Sequence, residues 1–90
     1  MGELLAWLAK YKRYPRKAKI RRQQGTAMLY FEMDRKGRVL SYELQESSGY
    51  RLLDQEALAL IKRAEPLPAM PSSMTQAQLE LVVPIRFNLR

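Results

Sequence analysis

The 90-residue chain contains neither histidine nor cysteine. That removes the usual general base near neutral pH, the commonest metal ligand, thiolate metal sites, disulfides and the thiol nucleophile. Few groups remain that could do chemistry. Glu32 and Glu43 lie on adjoining strand-patterned runs and would be the candidates for acid–base catalysis, although cross-strand carboxylates of this kind are ordinarily solvated surface. Ser47-Ser48-Gly49 would offer a hydroxyl nucleophile or a phosphate loop. No base accompanies it and no Lys follows at phosphate-loop spacing, so a turn is the plainer reading. Eight bases between Lys10 and Arg22, interleaved with Tyr11 and Tyr14, could contact phosphates and stack on nucleobases. The last candidate is backbone chemistry: Pro84 stands inside a strand-like run and removes one hydrogen-bond donor from it.

These groups must be positioned by one small domain. The mass is 10.5 kDa, with 47% hydrophobic and 28% charged residues, the composition of a folded globular chain. No apolar run approaches the roughly 18 residues that span a bilayer. Glu3 stands where a signal peptide would carry bases, so the chain reads as cytosolic or as the soluble piece of something longer. The formal net charge is +7, and all of the excess lies in residues 1–22, where eight bases face the single acid Glu3; the remaining residues balance eight against eight. Such a basic segment fits an anionic partner, a solvated helix face, or a role in orienting an encounter.

Leu4, Leu5, Leu8 and Tyr11 fall at helical spacing with Trp7 beside them, predicting a helix over about 4–12. Pro15 disfavours the helical region for Tyr14, which places a break at Arg13-Tyr14 and a second helix over about 16–23, with Gly25 as its left-handed cap. Ala27, Leu29, Phe31 and Met33 then alternate with polar neighbours over 26–34. Asp34-Arg35-Lys36-Gly37 is a turn signal, and 38–46 resumes the alternation with Leu40, Tyr42 and Leu44 on the apolar face. Beyond Gly49, the set Leu53, Ala57, Leu60, Ile61 and Ala64 marks one face of a helix over about 51–64. Asp54 and Glu56 near its start and Lys62 and Arg63 near its end suit the helix dipole, and Pro66 ends it. Pro66, Pro68 and Pro71 make 65–77 a stiff, extended connection. Leu79, Leu81, Val83, Ile85, Phe87 and Leu89 then occupy every second position of a final strand.

Helix, helix, strand, strand, helix, strand predicts an α+β two-layer sandwich. Its sheet is three-stranded and antiparallel in order 2-1-3, with the helices packed on one face and a short additional N-terminal helix. Pro84 assigns the last strand to the sheet edge. With the Pro84 nitrogen outward, Glu80, Val82, Arg86 and Asn88 present their backbone groups there too, while Val83, Ile85 and Phe87 pair inward. Pro84 and Arg86 blunt such an edge against self-pairing, and the same row would accept an extended peptide by strand addition. An edge that is merely protected, or one that pairs with its own copy, is the alternative.

Tyr14-Pro15 on a basic helix, Gly25 before a strand, Asp34-Arg35-Lys36-Gly37-Arg38-Val39, Ser47-Ser48-Gly49, Leu53-Asp54-Gln55-Glu56-Ala57-Leu58, Pro66-Leu67-Pro68 and Val83-Pro84-Ile85-Arg86-Phe87 follow in order along the chain. In that order and spacing the series resembles the C-terminal domain of TonB over about residues 13–90, leaving 1–12 as a helical extension ahead of it. The resemblance implies the periplasmic domain of an inner-membrane-anchored energy transducer, which works with ExbB and ExbD on the proton-motive force. Its partner would be the Ton box of outer-membrane transporters for iron–siderophore complexes, haem or cobalamin, added as a strand to the last strand. Carried onto this sequence, the contact positions are Val82, Val83, Pro84, Ile85, Arg86, Phe87 and Asn88, flanked by Arg13, Tyr14 and Pro15. Ile85 and Phe87 would shape the edge from the core rather than touch the peptide. The resemblance implies no enzyme, cofactor, metal, small-molecule substrate or nucleic acid. A small basic nucleic-acid-binding module is the rival, weakened by the few aromatics, Tyr30 and Tyr42, that the sheet would expose.

Overall fold

The computed structural model describes residues 2–89. It contains α1 (Gly2–Tyr11), α2 (Arg16–Ile20), β1 (Gly25–Asp34), β2 (Val39–Glu46), α3 (Arg51–Arg63) and β3 (Gln78–Phe87). The strands form one antiparallel sheet in the expected order β2-β1-β3, and the helices cover one of its faces. Strand alternation decides which side chains meet them. Ala27, Leu29 and Phe31 of β1 are wholly buried, with Val83 and Phe87 of β3 beside them, against Leu53, Ala57, Leu60 and Ile61 of α3.

The first helix belongs to the same core. Leu8 is 2% exposed, and the Trp7 indole N–H donates to the Ala64 carbonyl at the end of α3, 2.9 Å away. The connection after α3 also contributes more than reach, since Leu67 and Met70 are buried within it. It is strapped to the β1–β2 turn. The Leu67 N–H donates to the Gly37 carbonyl at 2.8 Å, the Met70 N–H to the Arg35 carbonyl at 3.1 Å, and the Arg35 guanidinium to the Gln76 carbonyl at 2.8 Å. Gly37 has φ +89°, and a Cβ there would lie 1.9 Å from the Leu67 carbonyl oxygen, so the strap requires glycine.

Several details depart from the sequence expectation. Leu40 was expected on the core face of β2, yet it is 46% exposed. Glu32 pairs with Ser41 and Met33 with Val39, so Leu40 is an extra, bulged residue and Val39 takes its place over the core. Tyr42 does face the helix layer opposite Phe31, but β2 is an outer strand, and the residue stays 40% exposed, with the Lys62 ammonium over its ring. The left-handed residue after α2 is Arg22, at φ 55°, not Gly25. The Gln23 N–H bonds the Ala18 carbonyl and the Arg22 N–H the Lys19 carbonyl, a Schellman closure that ends the helix at Ile20. Gly25 is instead the first residue of β1, where a Cβ would meet the Ser48 carbonyl oxygen at 2.5 Å.

Candidate functional site

The outward side of β3 follows from hydrogen bonds elsewhere in the sheet. The Asp34 N–H donates to the Arg38 carbonyl at 3.0 Å, toward β2. β1 pairs with β3 without a shift from Gly25 opposite Phe87 to Asp34 opposite Gln78, and both irregularities of the β1–β2 pair fall in β2. Alternation along β1 is therefore unbroken, so Gly25, Ala27, Leu29, Phe31 and Met33 direct their backbone groups to β3. Their partners Phe87, Ile85, Val83, Leu81 and Leu79 point back, which leaves Glu80, Val82, Pro84 and Arg86 with backbone groups outward. A second observation agrees: the Arg86 carbonyl accepts a hydrogen bond from the Lys12 ammonium, outside the sheet.

The ten residues expected at the site fall into distinct sets. Val82, Pro84 and Arg86 line the outward row; Val82 is 40% exposed on the solvent face and Arg86 is also exposed. Val83, Ile85 and Phe87 are buried and paired to β1, so they support the edge from beneath. Asn88 follows β3 and is exposed, and Leu89 remains tied alongside through its N–H to the Gln24 side-chain oxygen at 3.0 Å. Tyr14 stands edge-on to Phe87, with ring centroids 5.5 Å apart, and its hydroxyl donates to the Gln23 carbonyl. Burial pushes its phenol above the ordinary value. Pro15 caps α2, and Arg13 is exposed while its N–H is held from below.

What holds it is a pair whose role the sequence did not reveal. Glu56 and Arg63 of α3 are joined at both guanidinium nitrogens, 2.8 and 3.0 Å. Glu56 also accepts the Arg13 N–H at 2.8 Å, and Arg63 donates to the Tyr11 carbonyl at 2.9 Å. The pair therefore clamps the elbow between α1 and α2, the segment that carries Lys12 and Tyr14 to the edge. The hydrogen bond and charge of Glu56 hold the Arg63 guanidinium above its ordinary pKa. The available signal was their seven-residue spacing, two turns along a helix face whose neighbours are apolar. Asp54 likewise does more than suit a dipole. Its carboxylate accepts from the Ser48 N–H at 2.8 Å and from both the Ser47 and Ser48 hydroxyls, fixing the turn into α3. Burial alone would raise the Asp54 carboxyl, but these bonds outweigh it and leave it below the usual carboxylate range.

Charge is segregated around the edge. The three ion pairs among the described residues join Arg38 to Asp34, Lys62 to Glu65 and Arg63 to Glu56. None involves the basic segment 10–22. The solvent face of the sheet is acidic instead, with Glu32 opposite Glu80 and Tyr30 opposite Glu43. Partial desolvation, and then the Glu80 and Glu32 carboxylates, raise the Tyr30 phenol.

The fold presents a sheet edge with outward backbone groups, flanked by a basic elbow, and the comparisons with known proteins give its family. The family described as Gram-negative bacterial TonB protein C-terminal matches residues 10–89. Protein TonB of Pseudomonas putida is 40% identical over 83 residues, which are 91% of this chain and 34% of that protein. Protein TonB of Pasteurella multocida is 32% identical over 82 residues, 91% of this chain and 31% of that protein. The solution structure of a Helicobacter pylori TonB C-terminal domain superposes with a TM-score of 0.83 at 26% identity, covering 99% of this chain and 79% of that one. The C-terminal domain of HasB gives 0.63 at 40% identity, covering 99% and 69%. The chain belongs to the TonB C-terminal family. It spans about a third of the length of the curated relatives it matches.

Proposed function

We propose that this chain is the receptor-binding domain of a TonB-like energy transducer, and that it takes the Ton box of outer-membrane transporters as an added strand on β3. The observation that carries the reading is the outward row at Glu80, Val82, Pro84 and Arg86 on an edge that, among the described residues, no other strand covers. Added-strand contacts are mostly main chain, so one edge can serve transporters whose segments differ in side chains. The Pro84 carbonyl remains as an acceptor where its nitrogen gives nothing. Arg13, Tyr14 and Pro15 stand at the flank, and Val83, Ile85 and Phe87 hold the edge straight from the core.

In the whole protein this domain would be periplasmic and joined to an inner-membrane anchor. There ExbB and ExbD would couple it to the proton-motive force, driving uptake of iron–siderophore complexes, haem or cobalamin. No catalytic step, metal or cofactor enters this function. The acidic solvent face of the sheet repels phosphate and so disfavours the nucleic-acid alternative.

An amide-resolved NMR titration with a synthetic Ton-box peptide, with duplex DNA in a parallel sample, tests the reading. The expected result is saturable shifts along Val82–Asn88 and around Tyr14 with peptide. No response up to millimolar peptide, together with salt-sensitive shifts over Lys10–Arg22 on adding DNA, would refute it.

A further inference from the structure

We infer that the groove between α1 and β3 receives one aliphatic side chain of the added strand, and that Lys12 occupies that strand's place at Arg86 until it binds. The inference rests on the strand-addition reading and concerns what kind of segment the edge selects. Leu5, Leu8 and Ala9 of α1 face Pro84 and Ile85 across an open cavity of about 290 Å³, with Leu60 among its walls. A strand's side chains alternate between its two faces, so a segment paired to the outward row sends every second side chain toward the helix layer. The one beside Ile85 enters this groove. Lys12 and Arg86 are the charged residues of its lining, and among Leu5, Leu8, Leu60 and Ile85 a charged group finds nothing to replace its lost water.

Lys12 stands at the mouth of the same groove. Its ammonium donates to the Arg86 carbonyl, an acceptor in the outward row, and lies 5.5 Å from the centroid of the Phe87 ring. An added strand that runs past Arg86 needs that acceptor, so its backbone must displace the lysine. The displaced ammonium stays tethered at the groove mouth, where the exposed Arg86 also lines the wall. Charge complementarity then calls for a carboxylate two residues along from the aliphatic one, on the same face and beside Phe87. The preferred occupant is an extended peptide with an aliphatic side chain for the groove and an acidic residue two positions from it.

The probes are a capped seven-residue peptide of alternating Val and Thr ending in Glu, the same peptide with each Val replaced in turn by Ala, and a version ending in Gln. Titrated into the domain, the first should shift the amides of Val82–Arg86 and also the methyl groups of Leu5 and Leu8. Ala9→Phe, which fills the groove from an exposed position, should weaken the Val peptide about tenfold, the scale of one buried aliphatic side chain. It should leave unchanged the weaker binding of one Ala-substituted version. Lys12→Ala should tighten the Gln peptide and weaken the Glu peptide, each by about two- to tenfold, the scale of one hydrogen bond or ion pair. Edge amides that respond while the Leu5 and Leu8 methyls stay silent, with Lys12→Ala binding both peptides as the parent does, would overturn the inference and leave strand addition standing. Silence of the edge amides with every peptide would overturn both. The methyl shifts and the Lys12→Ala pair decide the matter even if Ala9→Phe does not fold.

Discussion

Replacing Phe87 by Ala tests the inside–outside assignment of β3 on which the edge depends. The Phe87 side chain is wholly buried, the Tyr14 ring stands against it at 87°, and the Lys12 ammonium lies over it. Removing a buried ring costs about 3–5 kcal/mol in lost burial and residual cavity. Loss of the aromatic pair with Tyr14 accounts for about 0.5–1.5 kcal/mol of that. Domains of this size hold about 5–15 kcal/mol in total, so the variant loses a large share of it. Even at 3 kcal/mol its Tm should fall by about 12–24 °C. Arg86 is the next residue along, with its side chain in water, and Arg86→Ala should stay within about 0.5 kcal/mol of the parent. Urea unfolding followed by the fluorescence of Trp7, the single tryptophan, measures both variants. If Phe87→Ala unfolded at the parent's midpoint, or Arg86→Ala fell as far, β3 would be facing the other way and the outward row would be wrong.

Glu56→Gln should lower stability by about 2–3 kcal/mol, because Arg63 keeps its charge while losing its partner, and Arg63 is only 24% exposed. It should also shift the amides of Arg13 and Tyr14 in an NMR spectrum; unchanged amides there would remove the clamp at the elbow. The folded-state pKa values of Asp34 and Asp54 are both depressed below 3.8. Stability from these carboxylates is therefore full above about pH 4 and is lost as pH falls through the folded values. Thermal melts between pH 6 and pH 2 should show that loss, and Asp54→Asn should make the acid limb shallower. An equally steep limb in the variant would exclude Asp54 from it. The basic segment 10–22, with no ion pair among the described residues, should accelerate association with an acidic peptide. Stopped-flow rates should fall about tenfold between low ionic strength and 0.5 M salt, and a flat profile would leave that segment without a steering role.

Periodicity read from neighbouring residues determined a great deal about this chain. The two-residue alternation over 26–34 and 79–87, the turn at Asp34–Gly37 and the apolar face of α3 are set by local sterics and hydrophobic burial. They returned the elements and the strand order. Pro84 placed β3 at the edge for an equally local reason, because a missing N–H is tolerated only where no ladder needs it. The same reasoning failed at Leu40, where a bulge inserts one residue and reverses the face of everything before it, a choice made by pairing with β1 rather than by β2 itself. The devices around the edge needed tertiary structure altogether. Lys12 reaches Arg86 across 74 residues of chain, and Arg13 reaches Glu56 across 43. A side chain's own neighbours carry no record of such contacts. They exist because the helix layer docks α1 beside β3, and only the folded chain brings those backbone groups within hydrogen-bond reach.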